Sequence, residues 1–312
     1  MKRLIMAPLR GFTDAVFRNA FLVHFQGISE AVAPFVTSTK GRRIKPSHLR
    51  DLAPEENSSL PIVPQILSNH AGEFVRLANT LSDMGYDEIN WNLGCPYPMV
   101  AKKKRGSGLL AFPDLIDRLL DEIMHTCNSR ISIKTRLGRF SKQEMESWIA
   151  VINRYPIVRV IVHPRTGVQM YTGSVDLDAF AACLAEINHP VVYNGDITDV
   201  DTFLMLETRF PAVGAWMLGR GLVGNPFLAE MIQSGKHAAP DTKERFIDFH
   251  EDLLAGYLAR FSGPGHVLDR MKGLWRYFAL GFDDGRRILK QVRKTRSLER
   301  YRQLVGKIWE DL

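Results

Sequence analysis

From residue 1 to about 235, short β-rich runs alternate with longer segments of helical period, and few architectures accommodate that alternation sustained through eight runs. The runs fall at residues 4–7, 30–33, 62–66, 88–91, 131–135, 158–162, 191–193 and 215–218, with helical periodicity at 70–83, 113–125, 142–155, 177–186, 200–207 and 226–233. A βα unit repeated to eight strands predicts a closed barrel with an outer helical ring. The connection over 36–60 is long and polar and is expected to be irregular. Residues 234–242, with Gly235, two alanines and Pro240, mark a boundary beyond which the pattern is helical throughout. The expected fold is therefore α/β, a (β/α)8 TIM barrel over 1–238 followed by a small all-α C-terminal domain over 239–312.

Composition narrows the class. With 45% hydrophobic and 24% charged residues the 312-residue chain reads as a globular protein without a long disordered tail. No stretch approaches the roughly 18 apolar residues of a membrane span. Lys2 and Arg3 before the apolar residues 4–7 imitate a signal peptide faintly, but Pro8, Arg10 and Asp14 cut the run short, so a cytoplasmic protein is expected. Cys95, Cys127 and Cys183 have no C-x-x-C spacing, which points to neither disulfides nor a metal site. Nothing in the sequence calls for a membrane or an obligatory protein partner, and a monomer is expected.

The net charge of +7 is concentrated. Residues 286–312 carry nine Lys or Arg against three Asp or Glu, +6 of the total. On a helix over 284–294, Arg286, Arg287, Lys290, Arg293 and Lys294 share one arc and Ile288, Leu289 and Val292 the other, so one face packs while the other meets solvent or phosphate.

In a parallel barrel the acting residues sit at the C-terminal ends of strands. Asn92-Leu93-Gly94-Cys95-Pro96 places a thiol there, held out of the strand by the glycine before it and the proline after it, and a thiol at that point has a proton to give. Asn194-Gly195-Asp196 and Gly219-Arg220-Gly221 follow the seventh and eighth runs, where barrels often bind phosphate. Lys134 ends its strand with an ammonium that needs an anion, either a neighbouring carboxylate or the N1/O2 edge of a reduced flavin, and Gln65 is placed to hydrogen-bond the same ring. His163 reads equally as a core histidine. Lys102, Lys103, Lys104 and Arg105, in a mobile segment between Cys95 and Gly106-Ser107-Gly108, would be the nearest clamp for a nucleic-acid substrate.

Taken in order, these segments resemble the dihydrouridine synthases, flavin enzymes that reduce uridine in RNA. Residues 7–14 are similar to A-P-M-x-G-x-T-D with Leu9 for Met, 92–96 match N-x-G-C-P, and 106–110 match the segment that follows. Residues 134–138 match K-x-R-x-G, 163–166 are close to H-G-R-T, and 194–197 and 219–221 match outright. The resemblance implies Cys95 as general acid, Asn92 holding the uracil, and Arg136 and Arg165 facing the RNA or the target nucleotide. It implies FMN bound by Pro8, Gln65, Lys134, His163, Asn194, Gly195, Gly219 and Arg220, with Asp196 placed in the same cofactor set. It further implies NADPH as electron donor, and an RNA-binding C-terminal part with Lys272 and Tyr277 in a K-x-x-x-x-Y-like stretch and Arg286, Lys290 and Arg293 on its basic face. The expected reaction adds hydride to C6 and a proton from Cys95 to C5 of a uridine, most often in tRNA.

Three departures stand out. Asn90 replaces a usual Asp, Trp91 an aliphatic residue and Pro164 a Gly, which suggests a divergent branch with its own substrate geometry. Competing readings are a ribosomal RNA substrate, a small-pyrimidine flavoenzyme of the dihydroorotate dehydrogenase type, and an RNA-binding barrel without turnover, against which Cys95 and Lys134 argue.

Overall fold

The structure, a computed structural model, describes residues 1–40 and 44–311. Its strands are β1 (Leu4–Met6), β2 (Glu30–Val32), β3 (Val36–Thr37), β4 (Ile62–Val63), β5 (Gln65–Leu67), β6 (Glu88–Leu93), β7 (Arg130–Arg136), β8 (Val160–His163), β9 (Val191–Asn194) and β10 (Ala215–Leu218), and every pairing is parallel. Pairing runs from β3 through β5, β6, β7, β8, β9, β10 and β1 to β2 and β4. β2 and β3 are two halves of one run broken at Pro34, and β4 and β5 are halves of the next, broken at Pro64. Both halves pair, Ala31 with Ile62 and Val36 with Ile66, so the sheet closes as eight staves, a (β/α)8 barrel as the alternation predicts.

The run expected as one strand over 62–66 is thus two, because proline has no N–H for the ladder. Only the Pro64 carbonyl takes part, accepting the Asn90 N–H at 2.8 Å. The connection over 36–60 holds β3, a short helix Pro46–Leu49 and 3-10 turns Arg50–Leu52 and Pro54–Glu56; its residues 41–43 lie outside the described residues.

Side chains alternate across the staves with period two. Ile5, Val32, Val63, Ile161, Val192, Ala215 and Met217 form one cluster inside the barrel, and Leu4, Met6, Trp91 and Ile133 join the larger one between sheet and helices. Buried Arg159 pairs with Glu30 at 2.5 Å and Glu88 at 2.9 Å near the N-terminal strand ends, satisfying charges that would be costly alone. Three ring helices start at aspartates: Asp14, Asp176 and Asp199 accept the N–H of Phe17, Ala179 and Thr202 at 3.2, 2.9 and 2.7 Å.

Four helices follow the barrel: Thr242–Arg260, Pro264–Phe278, Gly285–Lys294 and Leu298–Glu310. The first packs along the barrel helix Ala15–His24, where the Phe249 ring meets Phe17 and Phe25 at 5.6 and 5.0 Å. Asp14 ties the layers together, accepting from the Tyr257 hydroxyl at 3.0 Å and pairing with Arg270 at 3.3 Å. Among the described residues no helix is long and apolar enough to cross a membrane.

Candidate active site

The C-terminal strand ends converge on one cavity of about 1100 Å³. Pro8 enters it from the end of β1, Asn92 and Cys95 from β6, and Lys134 and Arg136 from β7. His163 of β8, residues 194–196 and residues 219–221 complete the ring, and Tyr277 faces it from the C-terminal helices.

Cys95 is held through its backbone. Its N–H and that of Gly94 donate to Asn92 Oδ1 at 2.8 and 3.0 Å, an Asx turn of the kind asparagine favours. Its carbonyl accepts the Ser107 N–H and Oγ–H, both at 3.0 Å. Arg136 Nε donates to the Gly94 carbonyl at 3.0 Å and Arg139 Nη1 to that of Pro96 at 3.1 Å, so two guanidiniums brace the turn. The side chain is 7% exposed on the cavity wall, and burial pushes the thiol above its ordinary range despite the Tyr97 N–H and nearby Arg136, Arg10 and Lys134. It is a protonated thiol at neutral pH.

The neighbouring wall, from β7 onward, is rich in cations. Lys134 Nζ donates to Asn194 Oδ1 at 2.7 Å, and among the described residues no carboxylate pairs with it. Burial, with a smaller push from Arg136, takes this ammonium down to about 7. His163 Nε2 accepts from Arg165 Nη1 at 3.0 Å, which leaves its ring proton on Nδ1. Burial and four surrounding cations hold this imidazole well below its ordinary value, hence neutral. Asp196, at φ 41°, accepts from Arg220 Nη2 at 2.8 Å and from both terminal nitrogens of Arg165. One carboxylate thus answers two arginines, while among the described residues Lys134 and Arg136 have none, and the cavity favours an anion.

The family model described as dihydrouridine synthase matches residues 5–300. The chain belongs to the dihydrouridine synthase family. These proteins are oxidoreductases, and the chain is 31% identical over 268 residues to a probable tRNA-dihydrouridine synthase of Rhodobacter capsulatus, covering 83% of this chain and 82% of that one. It is 28% identical over 319 residues to one of Staphylococcus aureus, covering 96% and 91%. Among solved structures, histamine dehydrogenase from Rhizobium sp. superposes with a TM-score of 0.56 at 12% identity over 82% of this chain. That match spans 48% of the dehydrogenase, about half its length, and speaks for the barrel alone.

In this dihydrouridine synthase-family chain several residues sit differently from what the sequence suggests. Gln65 is fully buried, its amide spent on Asn90 and Asn92 at 2.8 and 2.7 Å. Arg165 is 1% exposed and fastened to His163, Asp196 and the Gly173 carbonyl, so it sits behind the cavity instead of facing outward. Arg136 likewise spends Nη1 on the Thr166 carbonyl at 2.8 Å. At Gly195 and Gly221 a Cβ would come within 2.9 Å of Val175 Cγ1 and 2.1 Å of the Ile197 carbonyl, so loop packing needs both; at Gly219 it would meet Ala7 Cβ at 3.5 Å and Leu9 Cδ2 at 4.0 Å, ordinary contacts.

Lys102, Lys103 and Lys104 are exposed, with Lys104 Nζ 4.2 Å over the Phe112 ring. Arg105 is anchored by Asn69 Oδ1 at 2.9 Å and by Glu73 at 3.7 Å. Lys272 gives its ammonium to the Thr295 carbonyl, tying two C-terminal helices, whereas Arg286, Lys290 and Arg293 are exposed. Trp91 points out of the barrel, its Nε1 donating to the Ser68 carbonyl at 3.1 Å, so that departure concerns packing behind the sheet.

Sequence reasoning missed Tyr171 and Tyr97. The Tyr171 ring lines the cavity with the guanidinium carbons of Arg136 and Arg220 at 5.2 and 4.8 Å from its centroid, and Tyr97 is 53% exposed on the rim. Tyr97 follows Pro96 directly and could have been found from that position; Tyr171 stands in an irregular connection with no signal of its own.

Proposed function

We propose that this protein reduces the C5=C6 bond of a uridine in tRNA to dihydrouridine, using FMN and taking electrons from NADPH. A bound flavin supplies the hydride that goes to C6. The residues present suit such a group. Lys134, enclosed and without a carboxylate among the described residues, offers a positive charge to an anionic ring edge, and Asn194 aims it. Arg220, steadied by Asp196, stands beside Gly219 where a phosphate would be held, and Pro8 and Ala7 give the cavity an apolar edge.

Cys95 carries the second half of the addition. Its thiol is the proton donor to C5, with the proton restored from solvent, and neutral His163 beside Arg165 adds no competing charge. Asn92 lines the same cavity; its Oδ1 holds the turn and one Nδ2 hydrogen goes to Gln65, which leaves the other in reach of a pyrimidine edge. A stacked uridine hides C5 and C6, so the base must be extruded into the cavity, where the Tyr171 ring offers a flat neighbour. In this reading residues 1–238 are the catalytic barrel and 239–312 the RNA-binding part, with Arg286, Lys290, Arg293 and the three lysines 102–104 holding the backbone. The enzyme works as a monomer in the cytoplasm.

The observation that carries the reading is a protonated thiol sharing one cavity with an ammonium that lacks a counter-charge among the described residues. Dihydrouridine mapped along tRNA from cells with and without the protein tests it: loss of the modification at a defined position supports the reading, and an unchanged map overturns it.

A further inference from the structure

The barrel interior is apolar on one side only. Beneath β5, β6 and β7, Gln65, Asn90 and Ser132 stand side by side in register, all fully buried, and Asn92 lies one layer above beside Lys134. They form a single hydrogen-bonded chain. Asn92 Nδ2 donates to Gln65 Oε1 at 2.7 Å, Gln65 Nε2 to Asn90 Oδ1 at 2.8 Å, and Asn90 Nδ2 to Ser132 Oγ at 2.9 Å.

The polarity of this chain is dictated from its upper end. Two backbone N–H groups, of Gly94 and Cys95, require an oxygen from Asn92, which turns the Asn92 NH2 toward Gln65. Gln65 must then present its oxygen upward and its NH2 downward, and position 90 must present an acceptor. Turning the Gln65 amide over would set NH2 against NH2 and oxygen against oxygen, two repulsive buried contacts. We propose that Asn90, which lines no part of the cavity and does not touch Cys95, is a positioning residue that fixes the thiol-bearing turn through Gln65 and Asn92, with Ser132 as the terminal acceptor.

Polarity, not charge, is what position 90 must supply. Aspartate keeps an acceptor toward Gln65, and the Ser132 hydroxyl can turn to donate to its second oxygen. Leucine fills the space and breaks the chain.

The activity half of the test rests on the proposed uridine reduction; the thiol half does not. In a Cys127→Ser background, Asn90→Leu, Asn90→Asp and Ser132→Ala are compared for the rate of Cys95 alkylation by iodoacetamide as a function of pH, and for kcat and KM on tRNA. Asn90→Leu and Ser132→Ala should raise alkylation about tenfold as the turn loosens and lower kcat about tenfold or more through misplacement, with KM for tRNA within about twofold. Asn90→Asp should stay near the parent in both. Parental alkylation and kcat in both Asn90→Leu and Ser132→Ala, or an Asn90→Asp variant as impaired as Asn90→Leu, overturns the proposal. If Asn90→Leu does not fold, Ser132→Ala, which deletes one oxygen, decides with Asn90→Asp. A parent protein that makes no dihydrouridine refutes the reaction and leaves the alkylation comparison to judge the relay.

Discussion

Gly106 lies directly against Cys95: a Cβ built at position 106 would stand 2.7 Å from Cys95 Cβ and 2.8 Å from its carbonyl oxygen. The position is also left-handed, with φ at +56°, so alanine there meets both strain and collision. The Ser107 bonds to the Cys95 carbonyl hold the two segments together, and the thiol-bearing turn must move for any side chain to fit. Gly106→Ala should cost roughly 1–3 kcal/mol of stability and cut turnover about a hundredfold through displacement of the thiol, while bound flavin stays near stoichiometric. Turnover at the parental level would show that the turn is not held from this side.

Removal of the thiol separates binding from chemistry. Cys95→Ala should retain the yellow cofactor and lose about 10²- to 10⁴-fold in dihydrouridine formation, the usual worth of a positioned acid. The pH dependence follows from the sign of the shift. A group that acts as an acid works only while protonated, and burial holds this one above its ordinary value, so the rate should stay level through neutrality and fall only at alkaline pH. Single-turnover rates from neutral to alkaline pH check this; an alkaline limb surviving in Cys95→Ala would assign it to another group.

The barrel was legible in sequence because parallel strands buried on both faces read as short apolar runs, and eight of them were separated by helical periodicity. Cys95, Lys134 and Arg220 were legible because strand-end position is itself a functional cue. Side-chain partnerships across the fold were not. That Arg165 would be used by Asp196, 31 residues later, depends on how two loops meet, and no local pattern encodes it. Trp91 could have been read correctly from period two alone, since Asn90 and Asn92 face inward and the residue between them must face out. Gly195 and Gly221 line the cavity, and the neighbouring loops that a Cβ at either would strike are likewise invisible in a local pattern.

Lys134 links the site to stability. Its ammonium is held at about 7 in the fold against 10.5 ordinarily, so between those values the unfolded chain binds a proton that the folded one does not. Stability of the flavin-free protein from this residue therefore rises with pH across that window, by up to about 1.4 kcal/mol per unit, and the residue is a liability below it. Lys134→Met should stabilise the flavin-free protein at acidic pH and converge on the parent near the alkaline end. Urea titrations of both proteins at the two ends of the window test this, and a difference independent of pH would remove Lys134 as the cause. An anion in the cavity should flatten the parent's slope by restoring the proton.

The basic face of Gly285–Lys294 is the last feature with a measurable consequence. Arg286, Lys290 and Arg293 project into solvent around a shallow recess with Leu289 and Lys294, while the opposite face buries Ile288 and Val292. Only Arg287 on this helix has a carboxylate partner among the described residues, Asp284 at 3.0 Å. Cations held this way cost little to remove from the fold, so alanine at 286, 290 and 293 together should shift stability by no more than about 0.5 kcal/mol per site. Each phosphate that the protein no longer neutralises takes about 0.9 on duplex, or 0.7 on single strands, from the slope of log K against log salt, so the triple variant should lose about 2 to 3 from that slope. Equilibrium binding to tRNA over a salt series measures it. A triple variant with the parental slope would mean that the RNA backbone runs elsewhere, with the lysines at 102–104 the next to replace.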